Sequence, residues 1–113
     1  MIVHIGNDPS VSDVVQLVLK DAGLQVLCIQ TTQEFRELLE KPELLLLNNH
    51  MKDAFGHEFC KELKQDPTTG NIPVILMSSN DFLEEIAKNC GADAFIKKPF
   101  DIDELTGIVK KFI

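Results

Sequence analysis

Five short apolar runs punctuate the chain: Ile2 to Ile5, Leu24 to Ile29, Leu44 to Leu47, Ile72 to Met77 and Ala94 to Ile96. The third and fourth are apolar almost throughout instead of alternating, the pattern of strands covered on both faces, as in a parallel sheet between helix layers. Between the runs the period changes to that of a helix. Val11, Val14, Val15, Val18 and Leu19 recur at i, i+3, i+4, i+7 and i+8, one face of a first helix. Asp8 suits its cap and Pro9 its first turn, where a missing N–H is no loss, and Gly23 ends it. Thr31-Thr32-Gln33-Glu34 reads as a capping box ahead of a second helix with Phe35, Leu38 and Leu39 on one face, stopped by Pro42. A third helix is expected from about Phe55 to Lys64, with Phe59 and Leu63 inward. A fourth starts at Asn80 or Asp81, turns Leu83, Ile86, Ala87 and Cys90 inward, and ends at Gly91. Asp101-Ile102-Asp103-Glu104 opens a fifth, with Leu105, Ile108, Val109 and Phe112 on its apolar face.

Strand and helix alternate throughout, with no internal repeat, low-complexity tract or linker. Such β–α units in a row imply right-handed crossovers and helices on both faces of one sheet. A thioredoxin-like sheet is the competing fold, but it needs adjacent antiparallel strands, and no hairpin signal is present. In an open α/β sheet function sits at the carboxyl ends of the strands. The residues just past each run are therefore the candidates: Gly6, Asn7 and Asp8; Asn48, Asn49 and His50; Ser78 and Ser79; Lys97 and Lys98.

Length and charge narrow the functions. The 113 residues, 44% of them hydrophobic, suit one domain over 1–113 with one continuous core. A net charge of −7 argues against direct nucleic-acid binding and against an anionic membrane surface. Cys28, Cys60 and Cys90 contain no Cys-x-x-Cys pair and read as reduced, mostly buried thiols of a cytoplasmic protein. The start has no signal-peptide pattern, and no apolar run approaches a membrane span. The fifth helix finishes the fold, so no effector domain is visible within these residues. His50, Asp53 and His57 share one loop-to-helix segment but lack a fourth metal ligand, so a solvated loop is the expectation there. No Gly-rich phosphate loop, Ser/His/Asp grouping or nucleotide fingerprint occurs.

The motifs at the strand ends resemble a family, the response-regulator receiver domains of two-component phosphorelays. Its opening strand, acids and Pro are similar to Ile2-Val3-His4-Ile5-Gly6-Asn7-Asp8-Pro9. Its phosphoacceptor strand resembles Pro42-Glu43-Leu44-Leu45-Leu46-Leu47-Asn48, and the loop after it keeps its length to Gly56. Ile72-Pro73-Val74-Ile75-Leu76-Met77-Ser78 resembles the strand that ends in a hydroxyl residue. Gly91-Ala92-Asp93-Ala94-Phe95-Ile96-Lys97-Lys98-Pro99-Phe100 is close to the family's most specific signature. The resemblance implies a flavodoxin-like (CheY-like) three-layer sandwich with a five-stranded parallel sheet of order 2-1-3-4-5 and five helices.

The same resemblance exposes departures. The acceptor Asp falls at Asn48, and an amide cannot form an acyl phosphate. The acid pair that would hold Mg²⁺ falls at Gly6 and Asn7, and the carbonyl ligand would be that of His50. A one-residue slip makes the pair Asn7 and Asp8, still with one charge. Asp8 thus has two readings, a helix cap or a residual ligand. Ser78 matches the hydroxyl that binds phosphoryl oxygen, Lys98 the Lys that reaches the phosphoryl group, and Phe95 the aromatic that changes rotamer on activation. Each also has a plainer reading. Ser78 can satisfy backbone, Lys98 can pair with Asp8 or the Asn48 amide oxygen, and Phe95 can fill core or lie half exposed. The family's bond at Lys98-Pro99 would be cis.

The expectation is an atypical receiver, a pseudo-receiver without enzymatic activity, cofactor or metal. It would act through protein contacts on the face of the fourth helix, fifth strand and fifth helix, with a histidine kinase, an effector or a second copy as partner. The alternative is a small-anion or metabolite sensor using the remnant pocket around Ser78 and Lys98. A third reading keeps phosphotransfer through another residue such as Asp53.

Overall fold

The computed structural model describes residues 1–113. Strands β1 (Ile2–Ile5), β2 (Val26–Ile29), β3 (Leu44–Asn48), β4 (Val74–Ser78) and β5 (Ala94–Lys97) alternate with helices α1 (Pro9–Asp21), α2 (Thr32–Arg36), α3 (Gly56–Gln65), α4 (Leu83–Cys90) and α5 (Ile102–Lys110). All strand pairs are parallel, in the order β2-β1-β3-β4-β5. This is the flavodoxin-like arrangement that the resemblance implies, built on the helix-covered parallel sheet expected from the alternation of periods. Ile5 sits beside Ile29 and Leu47, Asn48 beside Met77, and Ser78 beside Lys97, so the strands finish together at one end of the sheet.

Alternate side chains of the central strands feed two core layers. Val3, Ile5, Leu45, Leu47 and Leu76 pack under Phe35, Phe59, Leu63, Leu83 and Ala87 of α2, α3 and α4. Ile2, Leu44, Leu46, Ile75, Met77 and Ile96 pack under Val15, Leu19, Leu105 and Val109 of α1 and α5. β3 and β4 are buried along their whole length, which is why their sequences are continuous apolar runs.

The caps are those the sequence announces. The Asp8 side chain accepts from the Ser10 N–H at 3.0 Å, and Pro9 occupies the first turn of α1. Thr31 Oγ1 accepts from Glu34 N–H at 3.0 Å, while Glu34 Oε1 reaches back to the Gln30 N–H at 3.2 Å. Asp101 Oδ1 accepts from Glu104 N–H at 2.7 Å. Gly91 ends α4 at φ 81°, a left-handed conformation that favours glycine.

Three expectations need correction. Helix α2 ends at Arg36, well before Pro42. Leu38 N–H bonds to the Phe35 carbonyl, a tighter i→i−3 turn that unwinds the helix and leaves Leu39 fully exposed. Val14 is exposed as well, because only Val15, Val18 and Leu19 of α1 are fully covered by the sheet. Helix α4 starts at Leu83, since Asn80 first forms a turn: its Oδ1 accepts from Phe82 N–H at 2.8 Å and its carbonyl from Leu83 N–H at 3.2 Å.

The segment before β5 has a structural reason for its residues. Asp93 Oδ2 accepts from the Val74 N–H at 2.8 Å and from Lys64 Nζ at 2.7 Å. Lys64 also donates to the Ile72 carbonyl at 2.7 Å, so one ion pair ties α3, the entry to β4 and the entry to β5. No helix is long and apolar enough to cross a membrane.

Candidate functional site

Gly6, Asn48 and Ser78 stand where β1, β3 and β4 end, and Lys98 follows β5, its N–H bonded to the Ser78 carbonyl at 2.9 Å. Asn48 is 4% exposed and its Oδ1 is buried without a hydrogen-bond partner. A Cβ placed on Gly6 would lie 2.9 Å from Asn48 Cβ, 3.1 Å from Asn48 Nδ2 and 3.2 Å from His4 Cε1. The Asn48 side chain therefore leans across β1 into the space that any side chain at position 6 would occupy.

Beneath it lies His4, which pattern reading passed over although a histidine inside Ile2-Val3-His4-Ile5 was the signal. It is fully buried, and neither ring nitrogen has a hydrogen-bond partner. Burial, and secondarily the Lys98 charge, depress its pKa to about 4, so the ring is neutral at physiological pH.

The loop after β3 is held by hydrogen bonds between residues that the sequence named without pairing them. Asn49 Oδ1 accepts from the His57 N–H at 3.1 Å and lies 2.9 Å from His57 Nδ1. The Asn49 carbonyl accepts from Gly56 N–H at 2.7 Å, and a Cβ on Gly56 would sit 2.7 Å from the Asn48 carbonyl oxygen. That close approach requires glycine and sets the loop length from Asn48 to Gly56. The ring of Phe55 stacks with His57 and meets His50 edge-on. Both Asp53 oxygens are engaged by Thr32, the hydroxyl at 2.6 Å, so His50, Asp53 and His57 do not converge.

Ser78 is buried, and its Oγ accepts from the Asn80 N–H at 3.1 Å, which is the backbone-satisfying geometry. Lys98 departs from the pairing weighed above: it makes no hydrogen bond or ion pair with Asp8 or Asn48. Its pKa is lowered by burial, against a weaker pull from Asp8. The Lys98-Pro99 bond is cis. Phe95 is 38% exposed and belongs to neither core layer.

The resemblance implies a Mg²⁺ at this end of the sheet, and the donors present do not fit one. Gly6 offers no side chain and Asn7 only an amide. Asp8 is the single carboxylate, already bound to Ser10 N at 3.0 Å and Ser10 Oγ at 2.7 Å, contacts that hold its carboxyl below the usual range. Mg²⁺ dehydrates reluctantly and wants several hard anionic oxygens. No group of three His, Cys, Asp or Glu side chains able to hold a metal gathers anywhere in the chain. Nor does any nucleophile face a base here; Asn48 is an amide with its oxygen turned inward.

Beside this end runs a second surface. Phe82 (65% exposed), Phe95 and Ile102 (61% exposed) are large apolar side chains open to solvent near α4, β5 and α5. Lys97 Nζ pairs with Asp81 Oδ1 at 2.7 Å between β5 and the turn before α4. A groove of about 480 Å³ is lined by Phe95, Lys97, Asp103, Glu104, Ile108 and Lys111, among others.

Known proteins share this architecture. A family model described as response regulator receiver domain matches residues 2–110. The chain is 28% identical to the DNA-binding dual master transcriptional regulator RpaA of Synechocystis over 99% of its length and 48% of the relative's. It is 30% identical to the phosphate regulon transcriptional regulatory protein PhoB of Pseudomonas aeruginosa, covering 96% of this chain and 49% of that one. It thus spans about half the length of these curated relatives. Among solved structures, the signal receiver domain of a signal transduction histidine kinase from Syntrophus aciditrophicus superimposes with a TM-score of 0.87 at 29% identity, over 98% of this chain and 87% of that one.

Proposed function

We propose that this chain, which belongs to the response regulator receiver domain family, signals in a phosphorelay through protein contacts and accepts no phosphoryl group at Asn48. In this reading residues 1–113 form one receiver unit, cytoplasmic, with a histidine kinase, an effector or a second copy as partner. The relatives' DNA-binding and regulatory roles belong to proteins twice this length.

The observation that carries the reading is the inward, buried Asn48 amide over a glycine. An acceptor must offer a carboxylate oxygen to solvent and a cation; the one side-chain oxygen here is the buried Oδ1 of an amide. The lack of a competent cation site supports it independently. The partner surface assigned is the face of α4, β5 and α5, where Phe82, Phe95 and Ile102 supply apolar anchors between the charges of Asp81, Lys97, Asp103 and Glu104. The test is incubation with acetyl phosphate and Mg²⁺, followed by intact mass. The parent mass is expected to persist; a hydroxylamine-labile phosphate adduct at substantial occupancy overturns the reading.

One observation favours the anion-sensor alternative. Lys98 is half buried without an ion-pair partner, and Asn48 Oδ1, at the same end of the sheet, lacks a donor. Inorganic phosphate, sulfate or a carboxylate that raises the Tm by mass action in the parent, and not in Lys98→Met, would establish it in place of a bare docking role.

A further inference from the structure

Away from the carboxyl end of the sheet, α3 and α4 each bring one thiol to the seam between them. Cys60 of α3 is fully buried and Cys90, the last residue of α4, is 6% exposed; both lie in the same core layer. Cys60 Sγ donates to the Cys90 carbonyl at 3.5 Å, so the first thiol reaches the second residue. Cys28 is apart on β2, its Sγ directed at the Ser12 carbonyl at 3.7 Å. All three are free.

Exposure separates the roles within the pair. A shallow cavity of about 290 Å³ between the helices is lined by His57, Glu58, Lys61, Ile86, Asn89 and Cys90. Cys60 is not in its wall. Of the two cysteines only Cys90 lines it, together with Lys61. The Cys60 side chain draws the Cys90 thiol below its ordinary range, against burial, while the Cys90 side chain and burial push Cys60 up; Cys90 Sγ itself donates to the Ala87 carbonyl at 3.4 Å. The thiolate is the attacking form.

We propose that Cys60 and Cys90 are a redox-active pair that a small-molecule disulfide, such as glutathione disulfide, closes into a bond tying α3 to α4. The Cys90 thiolate attacks one sulfur of the reagent; its S–S bond breaks and glutathione leaves as thiolate. Cys60 then loses its proton and attacks Cys90 Sγ, expelling the second glutathione thiolate. The two protein thiols are oxidised by two electrons, one glutathione disulfide is reduced to two glutathiones, and the two protons end on them. The pair is on the α3 side of α4, away from Asn48, so its chemistry is independent of whether Asn48 accepts phosphate. Closure would fasten the far end of the helix whose start carries Phe82.

The folded chain is equilibrated in glutathione buffers of rising disulfide content, quenched in acid, alkylated and mapped without reduction. The expected product has lost the mass of two hydrogens, contains a Cys60–Cys90 linked peptide with Cys28 alkylated, reverts with dithiothreitol, and has a higher Tm than the reduced form. Cys60→Ser is expected to trap glutathione on Cys90, and Cys90→Ser to protect Cys60. If either variant fails to fold, the parent peptide map decides alone. Cys60 and Cys90 remaining alkylatable at every ratio, linking only in denaturant, or staying unmodified while Cys28 takes glutathione would each overturn the proposal.

Discussion

Asn48 occupies the space of the side chain that Gly6 lacks, with its Cβ 2.9 Å and its amide nitrogen 3.1 Å from where a Cβ on Gly6 would stand. Filling a packed gap forces shifts that cost about 1–3 kcal/mol. Gly6→Ala is therefore expected to lower the unfolding free energy measured in urea by that amount, and Asn48→Ala in the same chain to recover part of it. Additive losses in that double-mutant cycle would show that the two positions do not compete for space.

Restoring one acid should harm the fold before it helps chemistry. Asn48→Asp places a carboxylate where an acceptor already lacks a donor. Burial raises its pKa, so the charged form is disfavoured in the folded state and the loss of stability grows as pH climbs above the ordinary Asp value of about 3.9. Phosphorylation should require Gly6→Asp and Asn7→Asp as well. A single Asn48→Asp variant that labels readily with acetyl phosphate contradicts this account of the cation site.

His4 predicts an acid limb of stability. Its pKa is about 4 in the folded chain against 6.5 for the free side chain. The unfolded chain binds the extra proton first, so stability is full above pH 6.5 and falls as pH drops toward 4. At roughly 1.4 kcal/mol per pKa unit the whole effect is about 3–4 kcal/mol. His4→Val, which removes two orphaned ring nitrogens, should abolish that slope and raise stability at neutral pH. Parallel pH profiles for parent and variant would refute it.

Asp93 should matter to stability and not to any chemistry. Asp93→Ala leaves the Val74 N–H without its acceptor and Lys64 without its carboxylate, a loss of about 1–3 kcal/mol. Asp93→Asn keeps an oxygen for Val74 and should retain part of the loss. Chemical denaturation of the three proteins measures both.

Phe95 tests the proposed partner face. Because it is solvent-accessible and outside both core layers, Phe95→Ala should leave Tm nearly unchanged. Binding to a partner recovered with the parent should weaken by about 2 kcal/mol. Changing Glu84 and Glu85, both exposed in the first turn of α4, to Lys should chiefly slow association and alter its salt dependence. Full affinity in these variants, with loss on changing α1 or α3, places the contact elsewhere.

Local rules carried the sequence reading a long way. Asp8, Thr31 and Asp101 announced three caps, the apolar runs located all five strands within two residues, and the signature from Gly91 to Phe100 pointed to the family. What escaped were relationships between distant segments. That Asn48 leans over Gly6, that Lys64 answers Asp93, and that Lys98 stays unpaired all depend on which strand lies beside which. Helix period also overstated contact: Val14 fits its apolar face but the sheet does not cover it, and Leu39 falls after α2 has already ended. His4 was visible in the sequence as a polar interruption, yet only its sealed environment reveals the missing hydrogen bonds.

The shortness of α2 gives the molecule a direction of unravelling. It spans Thr32–Arg36, anchored by Phe35 against Phe59, and β2 beside it is only half covered along Val26, Leu27 and Cys28. β3 and β4, by contrast, are sealed from end to end. Subglobal opening should begin by peeling β2 and α2 from that margin, leaving the remainder of the sheet closed. Amide exchange would then be fastest in this lobe, and a protease would first nick the stretch around Leu39.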